Sequence, residues 1–299
     1  MKFMPGLLQI IFLVSVFSSC KAQKDPAMSR APDGNTLLWE VSGNGLASPS
    51  YIYGTFHLMC KDQVHISENL ITALSRSKEV YFELDLDDLS STLGALFLMN
   101  MKNDTRWKDL YNEADLKTVT AYFRDTLKMP LAMVEKMKPS FAESMLYPKF
   151  LNCKNITGVE QEILALAKKE NKEIKGLETV AFQMSVFDSI PYKEQAQSLL
   201  KTIDSLQQSK IFFDSLVHIY NSQNLSAMEA AFSKPEYSMA DNLDILLNRR
   251  NINWVSQFKK IFAGQPVLVA VGAGHLVGDQ GILALLKKEN YTVIPLLNK

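Results

Sequence analysis

A mixed α/β fold is what this sequence predicts: a central, mostly parallel sheet built from two Gly-x-x-His strand–helix–strand repeats, with a large helical region in the middle. Three observations lead there. The same layout recurs at both ends of the chain: strand, Gly54-Thr55-Phe56-His57, loop, helix, strand, and then strand, Gly272-Ala273-Gly274-His275, loop, helix, strand. Between them, from Leu89 to Ala167 and from Ala181 to Phe262, the pattern is mostly helical. Finally, 299 residues with 47% apolar and 21% charged types make a globular chain, long enough to bury one large core.

Residues 1–19 read as a signal peptide rather than as fold. Lys2 is the only charge before an apolar run, Leu7 to Phe17, that is too short to span a bilayer as a helix. The run ends Ser18-Ser19-Cys20, which resembles a bacterial lipobox with Phe17 where Leu is preferred. Acylation of Cys20 would then anchor the chain to a membrane, and cleavage after Ala22 is the alternative. Residues 20–35 form a tether with two Pro and one Gly, and 36–299 form a single domain.

Within that domain, Leu37 to Val41 is a short apolar run that ends in the turn-rich Ser42-Gly43-Asn44-Gly45. Tyr51 to His57 is rich in β-branched and aromatic residues, so the two runs predict a hairpin. Ser67 stands as N-cap before a helix over 68–74. Val80 to Leu86 alternates as a strand, with Tyr81, Glu83 and Asp85 on one face. Pro130, Pro139 and Pro148 punctuate the helical middle. Val159 to Glu170 is a helix and Glu173 to Glu178 a short strand. Pro266 to Val271 is a continuous apolar run, as expected of a strand buried on both faces. Gly281 to Asn290 is a helix, and Tyr291 to Leu296 is a closing strand that Pro295 marks for the sheet edge.

Composition also excludes functions. Lys+Arg and Asp+Glu both number 32, and no basic cluster is longer than two residues, so nucleic-acid binding is not expected. Three cysteines do not make a disulfide scaffold, and spacing leaves open whether Cys60 and Cys153 pair. There is no Gly-x-Ser-x-Gly elbow, phosphate-binding loop or His-Glu-x-x-His.

The chemistry-bearing residues gather at predicted strand ends. Each crossover implies parallel pairing, which sets His57 and His275 at the carboxyl ends of their strands, where open α/β sheets bind ligands. Gly54, Gly272 and Gly274 are expected to let the backbone turn and to leave room for a ligand. The plain alternative is that each His is a hydrogen-bonded structural residue. His65, in a polar loop, and His218, in a helical run, have no such context. Two imidazoles need a third donor to hold a catalytic metal, and Glu83, costly to bury alone in an apolar strand, is the candidate. Glu160 and Glu178 are candidates for a general base or for a partner behind a His ring, although Glu160 equally suits a first-turn charge on the helix dipole. Arg250 is placed to neutralise an oxyanion or clamp a carboxylate, unless it belongs to a solvated basic face with Arg249.

Taken together, Leu-Trp-Glu-Val, Tyr-Gly-Thr-Phe-His-Leu, Phe-Glu-Leu-Asp, Gly-Val-Glu, Lys-Gly-Leu-Glu-Thr, Arg-Asn and Val-Gly-Ala-Gly-His-Leu-Val-Gly resemble the TraB/GumN family, which includes the Tiki-type membrane metalloproteases. The resemblance implies a divalent-metal centre, manganese or cobalt in Tiki-type members, near His57, Glu83 and His275 and lined by Glu160, Glu178 and Arg250; the expected cofactor is a divalent metal, Mn, Co or Zn. The leading expectation is a metal-dependent hydrolase, most simply a peptidase, that acts on a peptide or small-molecule substrate. It would be lipid-anchored in a bacterial envelope, or secreted or periplasmic if Cys20 is not acylated. Two other expectations compete with it: a non-catalytic haem- or metal-binding lipoprotein using the same two His, and a helical interaction module over 181–262.

Overall fold

The structure, a computed structural model, describes residues 28–32, 34–88, 94, 97–232 and 242–299. The expected leader and Cys20 lie outside them. The first strand, β1 (Leu38–Gly43), turns back into β2 (Ser50–Thr55) as the expected antiparallel hairpin. Asn44, with φ 46°, and Gly45, with φ 82°, supply the left-handed backbone of the turn. A two-residue strand, β3 (Met59–Cys60), follows His57 and pairs with β5 (Ile156–Thr157) as a small separate ribbon. Helix α1 (Glu68–Arg76) begins at Ser67, whose hydroxyl accepts from the Leu70 N–H at 3.1 Å, as its N-cap role predicts.

Strand β4 (Glu79–Phe82) stops before Glu83. This corrects the longer alternating strand read over 80–86. Beyond Phe82 the chain bends away, and the Leu177 and Glu178 N–H groups donate to the Phe82 and Glu83 carbonyls. Glu83 is therefore at the mouth of the sheet rather than inside it.

The helical middle holds α2 (Glu113–Asp125), α3 (Leu131–Val134), α4 (Pro139–Ser144) and α5 (Val159–Lys169). Pro130, Pro139 and Pro148 each open a helical turn, where a missing N–H costs nothing. After β6 (Glu173–Gly176) come α6 (Val180–Asp188), α7 (Tyr192–Asp204), α8 (Leu206–Asn221) and α9 (Leu225–Phe232). A π-helical turn over Asp244–Asn248 leads into α10 (Arg249–Gly264). Strand β7 (Val267–Gly272), α11 (Ile282–Lys288) and β8 (Tyr291–Leu296) finish the chain.

The six-stranded sheet has the order β6-β4-β7-β2-β1-β8. Strands β6, β4, β7 and β2 are mutually parallel, and β1 is antiparallel to both of its neighbours. The two repeats do not pair internally, contrary to the simplest reading of their crossovers. Instead they interleave: β7 inserts between β2 and β4, and the β1–β2 hairpin separates β7 from β8. The reason lies in burial. Val267 to Val271 are buried on both faces, so this strand belongs in the centre. Strand β8 takes the edge, as Pro295 predicts.

Alternation along the strands feeds two cores. Tyr51, Tyr53, Val80, Phe82, Leu268 and Ala270 face the helical middle, together with α1 and α5. Ile52, Val267, Val269 and Val271 face Trp254, Phe258 and Phe262 of α10 and Ile282 and Leu286 of α11. Each such aliphatic side chain contributes about 1.5–3 kcal/mol by leaving water. Cys60 and Cys153, left open by their spacing, form a disulfide. No described helix is long and apolar enough to cross a membrane.

Candidate functional site

Register brings the two Gly-x-x-His motifs together. Thr55 at the end of β2 pairs with Gly272 at the end of β7, so the chain leaves both strands at one point on the sheet's carboxyl edge. His57 lies two residues beyond the first strand and His275 three beyond the second, despite a separation of 218 in sequence. Next to β7, β4 delivers Glu83 to the same edge. A side chain at Gly272 would project among Glu83 Oε1, His57 Nε2 and the His275 ring, at 3.2, 3.5 and 3.7 Å, so glycine leaves that cradle open. None of Gly54, Gly272 and Gly274 has a positive φ, so none is required for left-handed backbone. At Gly54 the need is close packing, since a Cβ there would meet Leu276 at 2.8 Å and Ala273 at 3.1 Å. At Gly274 it would meet the Phe232 ring at 2.9 Å.

The two rings are held from behind. His57 Nδ1 is 2.6 Å from Glu160 Oε1, which also accepts from the Thr55 hydroxyl at 2.5 Å. Glu160 thus does more than complement a helix dipole: it backs an imidazole from the first turn of α5. His275 Nδ1 lies 2.6 Å from Asn251 Oδ1, while the same amide donates through Nδ2 to the Gln280 carbonyl at 2.9 Å. That second bond fixes the amide's orientation, so the ring must carry its proton on Nδ1 and its lone pair on Nε2. Arg250 Nη1, a donor, accordingly faces His275 Nε2 at 3.3 Å. Glu83 Oε1 stands 4.0 Å from His57 Nε2 and 3.7 Å from His275 Nε2.

Arg250 ties the carboxylates. It donates from Nη2 to Glu83 Oε2 and to Glu178 Oε1, both at 2.6 Å, and from Nη1 to the Leu246 carbonyl in the π-helical turn. Glu178 accepts further bonds from Arg250 Nε and from Trp254 Nε1, so its side chain is only 1% exposed. Trp254 also packs against the guanidinium at 4.8 Å and the His275 ring at 4.4 Å. Arg250 is thus a buried clamp and no part of a solvated face, whereas Arg249 pairs with Asp244 outside.

These contacts separate the two imidazoles electrically. Burial pulls the His275 pKa down to about 3, with Arg250 and His57 adding to the effect against Glu83. At neutral pH it is an uncharged ring with a lone pair aimed at the cradle. For His57, desolvation acts downward, but the charge and hydrogen bond of Glu160 and the charge of Glu83 outweigh it and raise the pKa to about 9. Its side chain is 70% exposed, so solvent screens these charges. Burial pushes the Glu83 carboxyl up, yet the fields of His275, His57 and Arg250 and the Gly272 N–H bring it down to about 2. Since His275 is neutral, the lasting cations beside Glu83 are Arg250 and His57. The Glu160 carboxyl is also lowered: burial opposes this, and His57 and Thr55 prevail. Burial, aided by the Glu83 charge, raises Glu178 despite its Arg250 contacts. With all three carboxylates ionised, they face one guanidinium and one imidazolium, a net charge of minus one.

Every expected site residue within the described chain therefore converges here: His57, Glu83, Glu160, Glu178, Arg250 and His275. His65 and His218 lie elsewhere, exposed. Sequence reasoning missed four contributors: Thr55, Asn251, Trp254 and Gln183, whose Nε2 donates to Glu83 Oε2 at 3.3 Å. Thr55 sits inside the first motif and Asn251 beside Arg250, whereas Trp254 and Gln183 carry no local mark. Among the described residues, no three His, Cys, Asp or Glu side chains already stand in metal-holding geometry. The guanidinium holds Glu83 a little off the imidazole nitrogens.

Comparison with known proteins agrees with the motifs. The chain is 22% identical to Metalloprotease TIKI1 of Danio rerio over 350 residues, covering 96% of this chain and 69% of that protein. It is 23% identical to Metalloprotease TIKI2 of Danio rerio and to Metalloprotease TIKI1 of Homo sapiens, in each case over 87% of this chain and 61% of the relative. The chain thus spans less than two thirds of the length of the last two. No solved structure matches it. The sequence model of the TraB/PrgY/gumN family matches residues 37–295, nearly all of the described fold including both imidazoles and the residues behind them, and the chain belongs to that family.

Proposed function

We propose that this chain is a divalent-metal-dependent hydrolase acting on peptides. One observation carries the reading: His57 Nε2 and His275 Nε2 face the same Glu83 oxygen across the space left by Gly272, while Glu160 and Asn251 occupy the two Nδ1 positions. Imidazoles that ligate a metal through Nε2 are oriented in this manner by partners at Nδ1. The surplus negative charge and the mixed imidazole–carboxylate donors suit Mn, Co or Zn. The names of the relatives, metalloproteases all, support the same chemistry.

His57, Glu83 and His275 would hold the ion, with His57 giving up its Nε2 proton on binding. When bound, such a metal supplies Lewis-acid polarisation of a scissile carbonyl. The chain's own residues do the rest. Glu160 and Asn251 keep the rings aimed. Arg250, itself anchored by Glu178 and Trp254, holds Glu83 ionised at the mouth of the sheet. The open member is His57, so substrate approaches from its side.

Elemental analysis of the purified chain tests this. About one divalent ion per chain is expected, lost in His57→Ala and His275→Ala and weakened in Asn251→Ala, which leaves His275 free to change tautomer. Full retention in both His variants would sink the proposal. A haem protein using the same pair would instead show a Soret band. We extend the proposal to location: the leader and Cys20 support a lipid tether to a bacterial envelope membrane. Cys20→Ala is then expected to move the chain to the soluble fraction or leave it unprocessed, and membrane partition of a processed mutant would refute the tether.

A further inference from the structure

The Cys60–Cys153 disulfide sits at one end of a short ladder whose other end carries the His57–Glu160 pair. One arm of the ladder runs from Phe56 through His57 to β3 and Cys60. The opposite arm runs from Cys153 through β5 to Gly158 and Glu160. Besides the His57–Glu160 pair, the bonds across the ladder are Lys61 N–H to the Asn155 carbonyl at 2.9 Å, the pairs Met59–Thr157 and Cys60–Ile156, Val159 N–H to the Phe56 carbonyl at 3.0 Å, the Lys61–Glu162 ion pair at 3.1 Å, and the Thr55 hydroxyl to Glu160 at 2.5 Å. The contact is close, because a Cβ at Gly158 would lie 2.6 Å from the His57 carbonyl oxygen. A ribbon of two residues per strand is marginal by itself. It is also separate from the six-stranded sheet. Between Cys60 and Cys153 the chain runs through α1, β4 and the helical middle, a separation of 93 residues. Nothing local along the chain holds the two arms together.

We propose that this disulfide is a positioning brace for the His57–Glu160 pair, and that its reduction loosens the site while leaving the main sheet folded. The proposal rests on the metal reading above for its functional consequence only. Its chemistry is simple. A dithiol attacks the cystine, gives up two electrons and two protons, and closes to its own cyclic disulfide; Cys60 and Cys153 become thiols. The covalent link between the arms is then gone, and only the non-covalent contacts named above remain between them. Glu160 stays on α5, whose Val159, Ile163 and Ala167 are buried in the core, whereas the His57 side chain is exposed on a short segment between the buried Thr55 and Met59. Loss of the Nδ1 contact leaves the imidazole without orientation, which typically costs 10–100-fold in metal affinity. Such a brace persists only in an oxidising compartment, which accords with a chain exported to the cell envelope.

The test compares the full chain oxidised, reduced with dithiothreitol, and as the Cys60→Ala/Cys153→Ala double variant. Two readouts are taken: amide hydrogen exchange and affinity for Co(II) alone. Expected on reduction and in the variant are faster exchange at Lys61 and Val159, unchanged protection of Val267 to Val271, and a Co(II) affinity lower by about 10–100-fold. Unchanged exchange at Lys61 and Val159 would overturn the brace. So would unaltered Co(II) affinity despite faster exchange, because the pair would then be held by other means. Global unfolding in both states would overturn it as well, since the bridge would be holding the fold rather than the site. If the oxidised chain binds no Co(II), the metal reading fails by itself, and the exchange at Lys61 and Val159 still decides whether the two arms depend on the bridge.

Discussion

Glu83 has two sets of partners, and its substitution separates them. Its Oε2 accepts from Arg250 and Gln183, and its Oε1 accepts from the Gly272 N–H at 2.9 Å while facing both imidazoles. Breaking a buried ion pair costs about 3–5 kcal/mol when the survivor is orphaned. Here Arg250 keeps Glu178, so Glu83→Gln is expected to cost the metal-free chain about 1–3 kcal/mol, the worth of a charged hydrogen bond. Urea melts with chelator measure it. The pH sign follows from the lowered pKa. The folded carboxyl sits at about 2 against an ordinary 4.5, so its contribution is fully present above 4.5 and is lost as pH falls toward 2. The gap between wild type and variant should therefore close on acidification through that window. A gap that is constant from pH 6 to pH 2.5 would mean that Glu83 is not held ionised by these partners.

At the scale of elements, most packing follows from amphipathic faces, and α4 against α7 is the exception. Glu143 of α4 is buried between the helices, where it accepts from the hydroxyls of Ser198 at 2.9 Å and Thr202 at 2.7 Å. Burial raises its pKa, and the two hydroxyl bonds offset only part of that. The folded state thus binds the proton more tightly than the unfolded chain. Stability from this group is complete below the unfolded carboxylate pKa and declines as pH rises through the folded one. Glu143→Gln keeps the volume and the acceptor without the charge, so it should raise the melting temperature at pH 7 and have little effect near pH 4. A lower melting temperature at pH 7 would show that the ionised carboxylate is an asset to this helix pair. The helix N-termini behave more simply: Ser67, Asn112 and Thr179 each accept a backbone N–H three residues on.

For the whole molecule, the decisive contact is the insertion of β7. It pairs with β2 on one side and β4 on the other, joining residues more than 180 positions apart. Without it, the β1–β2 hairpin and the β4–β6 pair have no common edge, and α10 loses the apolar face it covers. A fragment ending at Gly264 is therefore expected to lack cooperative unfolding and fast-exchange protection in β2 and β4. Circular dichroism melts and hydrogen exchange on the fragment check this; a sharp transition would show that the sheet can close without its central strand. Pairings this distant in sequence also predict slow folding for a chain of this size.

Local pattern determined a good deal. Composition and apolar spacing were enough for the fold class, for the hairpin, for the buried character of β7, for the edge position of β8 and for a His at the end of each repeat's first strand, because these depend on side-chain period and on where Pro and Gly stand. The six candidate residues were legible as types costly to bury without partners. Tertiary structure alone decided which partners they have. Strand order is set by long-range register, which leaves no mark on neighbouring residues, so the interleaving of the two repeats could not be read from either one. The same holds for the truncation of β4 before Glu83, the pairing of Cys60 with Cys153, and the clamp of Arg250 on both Glu83 and Glu178. Each depends on the distance between segments that only the closed sheet brings together, and electrostatic work over a few ångströms is invisible to periodicity.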